Sequence, residues 1–171
     1  MDHSDLKNVL LKVGSVIVSD EPVIYWTPLG PCVSVIFHDP VTKVSAATHA
    51  LHPEESKKPC KLHESCPQRC FRCDEKNDTH MQSVSTGIRF IIRSFEEKSI
   101  DISKMGIYLF GGAVKHLSND NNSCTEHPNS IAAVNTINSL NLKIKFKDIG
   151  GNKGRIIVFN SDNGEYKIKY M

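Results

Sequence analysis

Cys32 stands where a tight Gly30-Pro31 turn runs into the apolar stretch CVSVIF, and a cysteine at such a point is held rigidly and can be exposed. Acyl-group chemistry by a thiol needs a thiolate, a base within hydrogen-bond reach and amide donors where the oxyanion forms. His49 lies 17 residues later, at the end of the next strand-like run, and a hairpin would bring it beside Cys32 as that base. The pattern alone leaves a plainer reading open. An isolated Cys entering a strand is more often a small buried hydrophobe, and a His at a strand end is more often a surface or hydrogen-bonded residue.

A second constellation is Cys60, Cys66, Cys70 and Cys73, spaced C-x5-C-x3-C-x2-C. Four thiolates this close can complete a tetrahedral structural zinc site, with His63 and His80 as spare ligands, on a loop that lacks a core of its own. The alternative is a loop of reducible cysteines. The last three also fit the C-x3-C-x2-C pattern of radical iron-sulfur enzymes, which belongs in a much larger barrel. A zinc hydrolase centred here is disfavoured, because four thiolates leave no open position for water. Cys124 has no base near it in sequence and is assigned no role.

The elements that must position these groups are legible as short runs. Residues 13 to 18, 23 to 27, 32 to 37 and 43 to 48 are β-branched and aromatic, separated by Pro, Gly and Asp, and are expected to be strands. His38-Asp39-Pro40 supplies the turn of an antiparallel hairpin ending at Thr48-His49, with His38 solvated. From 53 to 80 the composition shifts to Lys, Glu, Cys and Pro without periodicity, which marks an inserted loop. Val84, Ile88, Ile91, Ile92 and Phe95 then give an amphipathic helix over 81 to 98. Ile107 to Phe110 is a buried-type strand running into Gly111-Gly112. Pro128 to Leu140 is a second helix, with the proline in its first turn. Strands follow at 142 to 146, 155 to 159 and 165 to 170, the last two joined by a two-residue turn at Asn163-Gly164. The order implies an α+β fold: a mixed, mostly antiparallel β-sandwich with two helices packed on one sheet, in α/β/β layers.

With 171 residues, 39% hydrophobic and 23% charged, the chain has the make-up of one globular domain over 1–171, interrupted by the Cys-rich insertion 53–80. A net charge of +2 without a clustered Lys/Arg stripe argues against a nucleic-acid partner. Short apolar stretches and early acidic residues argue against a secretory leader or membrane span, so the expected compartment is the cytoplasm. In that reducing setting the six cysteines point to metal binding or catalysis rather than disulfides.

The stretch TPLGPCVSVIFHDPVTKVSAATH resembles the signature of the CheD family of chemoreceptor glutamine deamidases, with its LGSCV turn, D-P turn and strand-end histidine. Phe110-Gly111-Gly112-Ala113 is similar to the family's central GGA segment, DIGGNKGR (148 to 155) to its late DxGGxxxR loop, and Ser161 to Glu165 to its terminal hairpin. The resemblance spans most of the chain outside the insert. It implies a protein-glutamine glutaminase in which Cys32 is the nucleophile, His49 the base, and Thr27 an orienting partner. The substrate is a glutamine side chain on the cytoplasmic domain of a chemoreceptor, and methyl esters there are implied as further substrates. No cofactor is required for such catalysis, and a CheC-type phosphatase is the implied regulatory partner. Gly111, Gly112 and Arg155, the last with Asp148, are candidate substrate-binding residues; a buried strand-to-loop turn explains the two glycines equally well, and the glycine-rich bend at Arg155 is more often simple turn structure. Two departures stand out: Pro31 replaces the usual serine before the cysteine, and Thr125-Glu126-His127-Pro128-Asn129 keeps only Asn129 of an IGxRN-like segment. They favour, as the alternative, a non-catalytic module that regulates a phosphatase or receptor by binding.

Overall fold

The computed structural model describes residues 6–53, 83–114 and 127–171. Within them the chain forms β1 (Lys7–Leu10), β2 (Val16–Ser19), β3 (Val23–Leu29), β4 (Val33–His38), β5 (Ser45–Ala50), α1 (Val84–Glu97), β6 (Gly106–Gly111), α2 (Pro128–Ser139), β7 (Ile144–Ile149), β8 (Arg155–Asn160) and β9 (Tyr166–Tyr170). One sheet has the order β1-β3-β8-β9 and the other β2-β5-β4-β6-β7. Neighbours are antiparallel except β1 with β3 and β6 with β7.

Burial explains the sequence patterns. β4 and β5 are buried at every position, as strands covered on both faces must be. β3 alternates instead, with Val23, Tyr25, Thr27 and Leu29 inside and Trp26 and Pro28 exposed, because its sheet is covered on one face only. One apolar layer lies between the helices and the five-stranded sheet, where Ile88, Ile91 and Phe95 of α1 and Ala133 and Ile137 of α2 meet Val33, Val35 and Phe37. The second lies between the sheets and contains Tyr25, Leu29, Ile36, Tyr108, Phe110, Ile157 and Phe159. Each fully buried Ile or Phe contributes about 2 kcal/mol relative to exposure. The expected α/β/β layering is therefore present.

The boundaries differ from expectation for local reasons. β1 was not anticipated, since KNVL is short and largely exposed. The strand expected from residue 13 begins at Val16, because Gly14 turns with φ 80°. α1 begins at Val84 because Ser83 caps it, its Oγ accepting from Thr86 N at 3.4 Å. The hairpin between β8 and β9 closes through residues 161–164 rather than two, since Ser161 is held to β3: its N–H donates to Val23 O at 2.9 Å, and its Oγ accepts from Val23 N at 2.8 Å. His38 is not solvated but buried, its Nε2–H donating to Ser161 O at 2.8 Å. The Cys-rich insertion, with Cys60, Cys66, Cys70 and Cys73, lies outside the described residues apart from its first residue, as does Cys124. The described chain stops and resumes at neighbouring points, where His52 bridges to Ser83 and Val84 N donates to His52 O at 2.8 Å.

Candidate active site

The turn before Cys32 is stapled to the end of β6. Ala113 N donates to Gly30 O at 2.8 Å, and Gly112 N donates to Cys32 O at 2.7 Å. This contact explains the glycine pair. Gly111 has φ 108°, and a Cβ there would lie 2.2 Å from Cys32 O; Gly112 has φ 66°, and its Cβ would lie 1.8 Å from Ser130 Oγ. Only glycine satisfies both the conformation and the approach.

The hairpin of β4 and β5 places Ser34 opposite His49. Strand alternation then sets Cys32 diagonally from His49 on the face turned toward the other sheet, where Cys32 packs in the same layer as Ile36 and Ala47. Thr27 enters this layer from the inner face of β3. Its hydroxyl lies 2.9 Å from His49 Nδ1 and donates to Leu11 O at 2.9 Å. His49 Nδ1 also lies 3.0 Å from Leu11 O. A carbonyl can only accept, so Nδ1 carries the proton and shares it between Leu11 O and Thr27 Oγ1. Nε2 is thereby the lone-pair nitrogen, and it is buried without a hydrogen-bond partner among the described residues. The backbone of His49 is clamped as well: its O accepts from Gly14 N at 2.8 Å and its N donates to Ser15 O at 3.1 Å.

Burial pushes the Cys32 thiol above its ordinary value, offset in part by its own backbone N–H. Burial pushes the His49 imidazole below 6.5, opposed by the Leu11 carbonyl. Both shifts favour neutral forms at rest, so the arrangement suits a base that takes the thiol proton as attack occurs. His38 is also depressed, chiefly by burial, with Lys43 and Lys145 adding to the effect and Ser161 O opposing it. The unfolded chain therefore binds more protons at these two sites below about pH 6.5, and stability must fall as pH drops through that window. The thermal midpoint is expected to be flat from pH 8 to 7 and to decline from pH 6.5 toward 5. In His38→Gln the decline should be shallower, read by circular dichroism.

Arg155 is brought near but is otherwise engaged. It is buried, pairs with Asp148 through one guanidinium nitrogen, and donates to the carbonyls of Asp148 at 2.7 Å, Gly150, and Lys153 at 3.3 Å. Its guanidinium also lies 5.5 Å from the Tyr170 ring. The glycine loop that it folds packs on the glycine pair's segment: Gly150 N donates to Gly111 O at 2.9 Å, and Val114 N to Gly151 O at 2.8 Å. Arg155 is thus linked to the Cys32 turn through that loop and Gly111, and through its pairing with Leu29 on β3. The described residues hold no group of three or more side chains able to bind a metal. Sequence reasoning missed Leu11, since a backbone carbonyl has no side-chain signature. It also gave Asn129 no structural role, although Asn129 Nδ2 donates to Pro31 O and to Leu51 O, each at 2.8 Å.

Residues 67–170 match the family model described as CheD chemotactic sensory transduction. Three similar proteins are named probable chemoreceptor glutamine deamidases, the third as CheD 2. That of Oleidesulfovibrio alaskensis is 26% identical, the match covering 97% of this chain and 74% of that protein. That of Caldanaerobacter subterraneus is 27% identical, covering 96% and 94%. That of Geobacter sulfurreducens is 25% identical, covering 99% and 93%. No helix among the described residues is long and apolar enough to cross a membrane.

Proposed function

The chain belongs to the CheD family, and on that footing we propose that it is a cytoplasmic protein-glutamine glutaminase that converts glutamine side chains of chemoreceptors to glutamate, with Cys32 as nucleophile. The observation that carries this reading is the imidazole of His49: Nδ1–H is fixed by Leu11 O and Thr27 Oγ1, while Nε2, on the face that also bears Cys32, is buried with no hydrogen-bond partner among the described residues. An Nδ1–H tautomer held in this way is what a general base requires.

In the proposed reaction Nε2 takes the Cys32 proton as sulfur bonds to the amide carbon, and the C=O electron pair moves to oxygen. The N–H of Cys32 donates to that oxyanion. When the carbonyl re-forms, the C–N bond breaks, and the imidazolium proton leaves with the nitrogen as ammonia. Water then attacks the thioester with Nε2 as base, releasing glutamate and returning the thiol. Gly111 and Gly112 act by letting the Cys32 turn seat closely, and Arg155 by folding the loop against them.

The test is incubation of wild-type protein with a receptor cytoplasmic fragment. Mass spectrometry should show amide-to-acid conversion at specific glutamines, with one ammonia released per site and no loss of rate in chelator. A bound fragment left unconverted would contradict the enzyme and favour the module, suggested by Pro31, that regulates a CheC-type phosphatase or receptor by binding. The cysteine cluster we propose as a structural zinc site on spacing alone; metal analysis of the same sample should find about one zinc per chain, and its absence would refute that site.

A further inference from the structure

We infer that Asn129 is a positioning residue for the oxyanion donor: its carboxamide fixes the Pro31-Cys32 peptide so that the Cys32 N–H points where the oxyanion forms. This rests on the Cys32 mechanism proposed above. The carbonyl of Pro31 and the N–H of Cys32 are opposite ends of one planar trans unit, so holding the first sets the direction of the second. Asn129 Nδ2 holds it, donating one hydrogen to Pro31 O at 2.8 Å. The other hydrogen goes to Leu51 O, also at 2.8 Å, two residues beyond His49. One amide thus ties the nucleophile's turn to the exit of the strand that carries the base. Turning the amide over would place Oδ1 against two carbonyls, so the donor assignment is fixed by its surroundings. A hydrogen bond accepted by a peptide carbonyl also polarises that peptide and strengthens its N–H as a donor. Because Pro31 has no N–H of its own, the turn offers the Cys32 amide in its place.

The fold builds this arrangement deliberately close. Asn129 is fully buried in the first turn of α2, whose start is set by Pro128 and by His127, with Asn129 N donating to His127 Nδ1 at 3.2 Å. Gly112, whose N–H donates to Cys32 O at 2.7 Å, leaves room for Ser130 of the same turn, whose Oγ would lie 1.8 Å from a Cβ there.

The test compares wild type, Asn129→Ala and Asn129→Ser in two reactions. Deamidation passes through an oxyanion; alkylation of Cys32 by iodoacetamide, read by peptide mapping, does not. Asn129→Ala should lower kcat roughly 100-fold with KM within about threefold, while the alkylation rate and its pH profile stay at wild-type values. Asn129→Ser, which keeps one donor, should fall between, and it supplies the comparison should the alanine variant fail to fold. Retention of kcat within about threefold, or parallel loss of kcat and alkylation, would overturn the inference. A Cys32→Ala control that still deamidates, or an inactive wild type, would instead remove the mechanism on which it rests.

Discussion

Cys32→Ala and His49→Ala are each expected to lower glutamine deamidation by roughly 10⁴-fold or more, with little change in receptor binding. The size follows from how such pairs act: losing either member of a nucleophile-base unit removes nearly all of the unit's contribution. Thr27→Val should cost much less. It removes the hydroxyl 2.9 Å from His49 Nδ1, but Leu11 O at 3.0 Å still fixes the tautomer. A loss of roughly 10- to 100-fold, mostly in kcat, is the expected result. The neutral resting pair adds a pH signature. Activity should fall on the acid side as His49 is protonated, with a midpoint below 6.5 in kcat/KM, and that limb should vanish from the residual rate of His49→Ala. An acid limb that persists there would point to another base.

Gly111→Ala should be the most damaging of the small substitutions to stability. Its Cβ would sit 2.2 Å from a backbone atom, Cys32 O, at φ 108°, and neither a rotamer change nor a flexible neighbour relieves that overlap. A loss of about 4 kcal/mol or more is expected, from backbone strain together with displacement of the nucleophile's turn. Gly30→Ala, two residues before Cys32, is the matched control. A Cβ there meets nothing within 4 Å, and the expected change is within about 1 kcal/mol. Urea unfolding separates the two. Equal stability in both variants would mean that the turn is not packed on β6 as described.

How far the sequence foretold this molecule depended on whether side chains carried the information. The hairpin of β4 and β5 was legible from two apolar runs around Asp39-Pro40, and with it the shared face of Cys32 and His49. Both helices were legible from their spacing, because α1 covers one face of a sheet and so keeps its buried Ile88, Ile91 and Phe95 in register. β1 was not, since an edge strand with largely exposed side chains has little apolar pattern to detect. Yet β1 delivers Leu11, whose carbonyl orients the base. The burial of His38 was hidden for a related reason: its partner, the Ser161 carbonyl, is 123 residues away in sequence. Gly111 and Gly112 were visible as an unusual pair, but the atoms that forbid a side chain there come from Cys32 and Ser130, contacts that only the assembled fold supplies. Asn129 illustrates the same limit: its two acceptors are backbone carbonyls from separate strands' ends.

The central claim is that sulfur of Cys32 becomes bonded to the substrate's side-chain carbonyl carbon. The most direct measurement is acid quench of wild-type protein during turnover with a glutamine-containing receptor fragment, followed by mass spectrometry of the intact protein and of its Cys32 peptide. A covalent acyl adduct on Cys32, lost on treatment with hydroxylamine and absent from Cys32→Ala, is the predicted result. Turnover that continues in Cys32→Ala, or an adduct mapped to a different residue, would contradict it.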